Sequence, residues 1–391
     1  MNYTYLDHIS ANPLLAEVKE AMIAAIHKDF CNPSSQHTPG EQAAEALEKA
    51  RTSVADLINA SDPKEVVFTS CGTESVNHAI KGVALANAKK GKHIVTSNIE
   101  HNAVIRSLRR LKAMGYTVTS VSVDGFGRVK PEEVADAIKD DTVLVSIMHS
   151  NNEVGTLQPV EEIARITKDR GVLFHCDAVD SVGVVPVDVQ KIGVDLLSFA
   201  SNPFYGPTGV AGLYIRRGTH IFPLLDGGIQ ENNKRAGTAN LVGIVGMGVA
   251  AEFAKKDMPR RIEHVKRLKE MLLRELPHHI EEYLINGHPQ QCLPNLVSIS
   301  IKYIEGESVV LMLDDEKIAV STRSACATGS LRSSHVLQSI GRDYADAQGT
   351  LIVTFGIENS EEDVRRFLTA LKMVVETLRK ISPLYKKAST G

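Results

Sequence analysis

No two of the five cysteines are close enough to form a CxxC pair. Cys31, Cys71, Cys176, Cys292 and Cys326 are widely spaced and odd in number. Neither a disulfide framework nor a zinc knuckle is expected from such spacing, which leaves room for a working thiol. Long apolar runs are also missing, since no segment approaches the roughly 18 residues needed to span a bilayer. The stretch Met1 to Asp7 has no basic n-region and no apolar h-region, so no leader or membrane segment is expected and the chain is placed in the cytoplasm. An excess of either charge is lacking too: 44 Lys and Arg stand against 47 Asp and Glu, a net charge of -3. That balance offers no electrostatic case for nucleic acid or anionic lipid as a partner. Internal repeats and low-complexity tracts are absent. The remainder has an ordinary globular composition, 43% hydrophobic and 23% charged, in 391 residues, which is enough for two domains.

Between about residues 65 and 215, short β-rich runs alternate with helical stretches. The runs are Glu65 to Thr69, His93 to Thr96, Val118 to Val123, Thr142 to Ile147, Val172 to His175, Asp195 to Phe199 and Gly212 to Ile215. This alternation predicts an α/β doubly wound domain with a mostly parallel sheet. Several runs are almost continuously apolar, as strands are when helices cover both faces. A long helix over about Ile244 to Leu276 leads into a second region. There the pattern is strand (Asn295 to Ile301), helix (Ser308 to Asp314), strand (Ala319 to Thr322), polar loop, strand (Thr350 to Phe355) and helix (Glu361 to Lys380), a smaller α+β domain.

The informative polar residues follow the strands: Gly72-Thr73-Glu74, Glu100-His101, Asn151-Asn152-Glu153, Asp177 and Ser201-Asn202. Ligands of open α/β sheets bind in the crevice outside the carboxyl ends of the strands, so one pocket built from five loops is expected. Cys71-Gly72-Thr73-Glu74-Ser75 follows a strand and opens a helix, where backbone N–H groups and the Thr73 hydroxyl suit a phosphate. Thr at a helix start is more often a plain N-cap. Likewise, Asp177 at a strand end is by itself more often a cap for the next turn.

Taken with Glu100-His101-Asn102-Ala103-Val104, Asn151-Asn152-Glu153-Val154-Gly155, Tyr205-Gly206-Pro207, Arg235-Ala236-Gly237-Thr238 and Ser324-Ala325-Cys326, these segments resemble the class V aminotransferase superfamily of pyridoxal phosphate (PLP) enzymes. Within it they resemble the cysteine desulfurases of the NifS/IscS type, over nearly the whole chain. The resemblance implies the PLP-transferase fold, aspartate aminotransferase-like and of fold type I. Residues 15–255 would form the large domain, and 1–14 with 256–391 the small domain carrying the Cys326 loop.

The resemblance further implies that Thr73, beside Gly72, binds the cofactor phosphate, while His101 stacks on the pyridine ring and assists proton transfer. Asp177 would pair with the pyridine nitrogen and keep it protonated, so that the ring serves as an electron sink. Asn152 would lie by the ring substituents or the substrate carboxylate. Thr238 would reach the phosphate of the neighbouring subunit in a homodimer. Cys326 matches the nucleophile that takes sulfur from cofactor-bound L-cysteine and becomes a persulfide. The stretch Ala327 to Ser334 is about as long as the loop that carries this thiol to an acceptor protein. Cys31, Cys71, Cys176 and Cys292 read as structural.

The chain departs from this pattern where the family writes Ser-x-His-Lys-x-Tyr-Gly-Pro-Lys-Gly around its cofactor lysine. Here the segment is Ala200-Ser201-Asn202-Pro203-Phe204-Tyr205-Gly206-Pro207-Thr208-Gly209. Pro203 stands for the lysine, Asn202 for the His and Ala200 for the Ser, and the nearest lysines, Lys191 and Lys234, belong to other segments. A positioned acid–base group contributes about a hundredfold to ten-thousandfold in rate, and proline has none. Asp180 stands for a Gln facing the phenolic oxygen, and Ile352 for the arginine that clamps the substrate carboxylate. An apolar side chain cannot replace a bidentate guanidinium.

The expected cofactor is therefore PLP held, if at all, without a lysine Schiff base. Three functions are compatible with this. The first is a desulfurase-like homodimer of iron–sulfur cluster assembly. It docks a scaffold protein of the IscU/NifU type and uses Cys326 as a persulfide carrier or as a ligand of a transient [2Fe-2S] cluster shared with that scaffold. The second is an active cysteine desulfurase, turning L-cysteine into L-alanine and sulfur with non-covalent PLP. The third is a PLP-fold enzyme with a different substrate.

Overall fold

The computed structural model describes residues 3–28, 31–322 and 334–385. Among the described residues there are twelve strands: β1 (Thr4–Tyr5), β2 (Val66–Thr69), β3 (His93–Ser97), β4 (Thr117–Val121), β5 (Thr142–Met148), β6 (Leu173–Asp177), β7 (Leu196–Ala200), β8 (Ala211–Ile215), β9 (Tyr283–Asn286), β10 (Leu296–Ile301), β11 (Ile318–Ala319) and β12 (Thr350–Thr354). Seven of them form one sheet in the order β2-β8-β7-β6-β5-β3-β4. Only β8 runs against its neighbours; the β7-β6-β5-β3-β4 pairs are all parallel.

Alternate residues of these strands feed opposite faces, as the two-residue period of a strand dictates. Val66, Val95, Val145 and Leu197 join a core closed by helices Thr38–Leu57, Val160–Asp169 and the start of Leu241–Glu275. Val67, Ile94, Leu144 and Leu196 join a second core under helices Gly72–Ala86 and Asn102–Lys112. With both faces covered, every residue of β5 is buried. Apolar continuity in the sequence has this cause.

Helix Leu241–Glu275 joins the two halves of the molecule. Its first half, up to Ala254, packs under the large sheet, while Val265, Leu268 and Leu272 enter another core. That core lies between the antiparallel sheet β12-β10-β9 and helix Glu361–Ile381. The N-terminal segment returns to it through Leu6, whose carbonyl accepts from the Thr354 amide at 2.8 Å.

Some expected boundaries shift. The run expected to end at Val123 stops at Val121, because Asp124 to Gly127 turns the chain and Val123 bridges Val129. The expected strand Ala319 to Thr322 is the short β11, paired with β1, and Ser321 bridges Ile352. Strand β9 had no clear signal because it is an edge strand with Ile285 exposed. No helix of the described residues is long and apolar enough to cross a membrane.

Candidate functional site

The loops after β2, β3, β5, β6 and β7 open at the carboxyl end of the sheet. Asp177 is the last residue of β6 and is buried. Its Oδ1 accepts from the Val179 amide at 3.2 Å, and burial pushes its pKa up to about 6. Glu100, in the loop after β3, is fully buried. Burial, with the neighbouring charge of Asp177 adding to it, raises its pKa to about 8 despite two hydrogen bonds. Those bonds reach Oε1 from Ser97 Oγ (2.5 Å) and the Met148 amide (3.1 Å), leaving Oε2 buried without a partner.

His101 caps helix Asn102–Lys112: its Nδ1 accepts from the Ala103 amide at 3.1 Å. The ring is thereby oriented, and Nε2 carries the proton of the neutral form. Helix Gly72–Ala86 begins at Cys71, which is exposed and provides no side-chain cap, so the first amides of the helix can meet an anion. A Cβ on Gly72 would lie 2.6 Å from Val179 Cγ2; glycine here lets the Thr73 turn close against the Asp177 loop. Thr73 itself is exposed. Glu74 in the same turn is raised by burial but held below its ordinary range by hydrogen bonds from Arg235 and Ser70.

After β5, Asn151 shapes the turn that presents buried Asn152, its Oδ1 accepting from the Glu153 (2.9 Å) and Val154 (3.0 Å) amides. After β7, Asn202–Phe204 forms one short turn of helix with Pro203 buried within it, followed by Tyr205 at φ 68°. Pro203 and Asp180 line a cavity of about 40 Å³ whose other walls come from the N-terminal segment, helix Leu241–Glu275 and the end of β12. No lysine is among its lining residues. Lys234 instead lies among Glu65, Glu231 and Arg51, its pKa lowered by burial.

Thr238 is exposed, away from this cavity and beyond a segment in which Glu231, Asn232 and Asn233 are all left-handed. Cys326 lies outside the described residues. The residues that follow its segment are tied to the site: Ser334 Oγ donates to Glu153 Oε2, and His335 Nε2 lies 3.0 Å from the Glu100 carbonyl. Of the remaining cysteines, Cys176 is buried in the large core, where burial holds its thiol well above the ordinary range.

The whole fold and this set of loops have close relatives. Residues 4–367 match the family described as Aminotransferase class-V. The chain belongs to that family. A cysteine desulfurase IscS of Dictyoglomus turgidum is 46% identical over 383 residues, covering 98% of this chain and 97% of the relative. One of Methanosarcina thermophila is 45% identical over 98% of this chain and 94% of the relative. Among solved structures, a NifS-like protein superposes with a TM-score of 0.90 at 38% identity, over 96% of this chain and 100% of that one. The apo cysteine desulfurase of Thermococcus onnurineus NA1 gives 0.85 at 27% identity, over 96% and 95%. Within the class-V family the chain thus sits in the cysteine desulfurase branch.

Two residues of the site carried no signal in the sequence. Arg261 lines the cavity although Arg260-Arg261, in a helix rich in charge, reads as solvent-facing. His8 also lines it, brought there by the fold of the N-terminal segment. Only the packing of helix Leu241–Glu275 against the loop at Pro203 separates Arg261 from its exposed neighbour.

Proposed function

We propose that this chain acts as a sulfur-handling homodimer in iron–sulfur cluster assembly, docking a scaffold of the IscU/NifU type and presenting Cys326. The carrying observation is a contrast at one crevice. The cavity beside Pro203 has no lysine on its walls, while Ser334 and His335, which follow the Cys326 segment, are bonded to Glu153 and Glu100. In the carrier role, the Cys326 thiolate takes the outer sulfur of a persulfide donor. A new S–S bond forms as the donor's breaks, and the donor leaves as a thiolate. The same thiolate suits a transient [2Fe-2S] cluster shared with the scaffold.

PLP fits the remaining residues without a covalent link. Asp177 is a buried carboxylate that accepts from the Val179 amide, and a cationic ring nitrogen would relieve its cost of ionisation. The uncapped amides at Gly72 and Thr73 suit a phosphate, with Thr238 of a second subunit as a further donor. His101 is held by its cap against turning away. Bound there, PLP supplies an electron sink. Among the described residues no lysine amine stands beside Pro203 to carry a proton, and Asp180 adds an acceptor-only carboxylate where the family has an amide.

The retained Asp177, His101 and Thr73 support a second reading, a desulfurase that uses non-covalent PLP. Incubation with PLP and L-cysteine, with sulfide assayed beside the Pro203→Lys variant, separates the two. Under the first reading the unmodified chain releases little sulfide, and appreciable release overturns it. Cys326→Ser should abolish sulfur or cluster transfer to the scaffold while complex formation persists.

A further inference from the structure

Outside the crevice, the fold gives one further cysteine a charged neighbour. Cys292 is half-buried, and Lys269 Nζ of helix Leu241–Glu275 donates to its Sγ at 3.0 Å and to the Leu293 carbonyl at 2.9 Å. The second bond fixes the ammonium beside the sulfur. A thiol reacts as its anion, so a cation held at this distance faces the charge that an attacking sulfur must carry. The backbone around Cys292 is held by the loop after β5: the Leu157 amide donates to the Gln291 carbonyl at 2.9 Å, and the Leu293 amide to the Gly155 carbonyl at 2.8 Å.

Cys292 lies on the wall of a groove of about 600 Å³, which shares only Ile262 with the cavity beside Pro203. That size is within the range of small-molecule sites. His149 also lines the groove. It is 9% exposed, and its one hydrogen bond among the described residues joins Nδ1 to Ser181 Oγ at 2.9 Å, which leaves Nε2 for a ligand. Burial keeps the ring neutral, its pKa down to about 4. A largely buried ring nitrogen without a partner calls for something that bonds to it. Arg128 and Arg165 complete the polar wall, where the nearby Glu161 carboxylate is taken by Lys191 at 2.9 Å, and Leu157 and Val185 add apolar surface.

We infer that Cys292 is a site of mixed-disulfide formation with a carboxylate-bearing peptide thiol, with Lys269 facing the attacking sulfur and Arg128, Arg165 and His149 receiving the peptide. The Cys292 thiolate attacks one sulfur of the peptide's symmetrical disulfide. A new S–S bond forms as the old one breaks, and the other half leaves as a thiolate. Cys292 is oxidised, that half of the disulfide is reduced, and the proton of the Cys292 thiol goes to solvent. The groove is too large for a single transferred sulfur atom and suits a molecule of about three residues. Arginine forks match carboxylates, and a neutral imidazole can donate or accept at a peptide group. This goes beyond the sulfur-carrier reading and uses none of its residues.

The test treats the full-length, reduced chain with glutathione disulfide or with the uncharged 2-hydroxyethyl disulfide and follows the adduct at Cys292 by peptide mass mapping. Each rate is divided by that of N-acetylcysteine with the same disulfide, which removes the intrinsic reactivity of the probe. Glutathione disulfide should modify Cys292 with a normalised rate about tenfold above that of the uncharged probe. Arg128→Met and Arg165→Met should each lower this preference by about two- to fivefold and leave the uncharged probe unaffected. Lys269→Met should slow both disulfides by about fivefold or more and keep their ratio. Cys326→Ser should react at Cys292 like the parent, so failure of the carrier reading would leave this result standing. No adduct at Cys292, equal normalised rates for the two probes, or parent-like rates in Lys269→Met would overturn the assignment. If Lys269→Met does not fold, the ranking of the two probes on the unmodified chain still decides it.

Discussion

At the scale of single residues, two buried carboxyl groups set a pH dependence. Asp177 is raised to about 6 and Glu100 to about 8, both by burial, so the native chain holds protons that the unfolded chain releases near pH 4. Their contribution to stability should therefore be full below about pH 4 and be lost as pH rises through 6 and towards 8. The slope is at most about 1.4 kcal/mol per pH unit for each group. Glu100→Gln should flatten the fall between pH 6 and 8, as read from urea midpoints across that range; an unchanged slope would mean that Glu100 is ionised throughout. Gly72 offers a second check. A methyl group there would meet Val179 Cγ2 at 2.6 Å, so Gly72→Ala should cost about 1–3 kcal/mol in urea unfolding and weaken PLP binding.

Among the elements, the segment after Ile229 has the most demanding backbone. Glu231, Asn232 and Asn233 have φ of 48°, 55° and 61°, a left-handed run that L-residues keep only when their surroundings enforce it. The enforcement comes from helix Thr38–Leu57. Arg51 forks onto both oxygens of Glu231 at 2.6 and 2.8 Å, and the Phe68 amide at the end of β2 donates to the same carboxylate at 2.8 Å. Both side chains are more than nine-tenths buried. Arg51→Met should cost about 3–5 kcal/mol, because it leaves a buried carboxylate with one backbone donor. Chemical denaturation measures that loss. Thr238 lies a few residues beyond this clamp, so in the proposed homodimer the same variant should shift sedimentation towards monomer.

For the whole molecule, the cavity by Pro203 is assembled from six parts of the chain: the N-terminal segment, the loops after β6 and β7, helix Leu241–Glu275, Asn295 before β10 and the residues after β12. Under the desulfurase reading, L-cysteine should therefore protect amides near His8 and Ile357 together in hydrogen exchange. Most strands of the large sheet were legible because burial on both faces forces continuous apolar runs, whereas the edge strand β4, largely open to solvent, was legible from its place in the alternation. Asp177, His101 and Asn152 were legible because an α/β sheet puts its polar loops at one end. Strand β9 was not, since an edge strand needs no such run, and Arg261 was not, since a charged pair on a helix carries no mark of which member turns inward. The family and the sheet were thus legible in residue order alone, because they depend on local pattern. Which cation stands beside Pro203 was decided only by tertiary packing, which brings residues more than fifty positions apart onto the walls of one cavity.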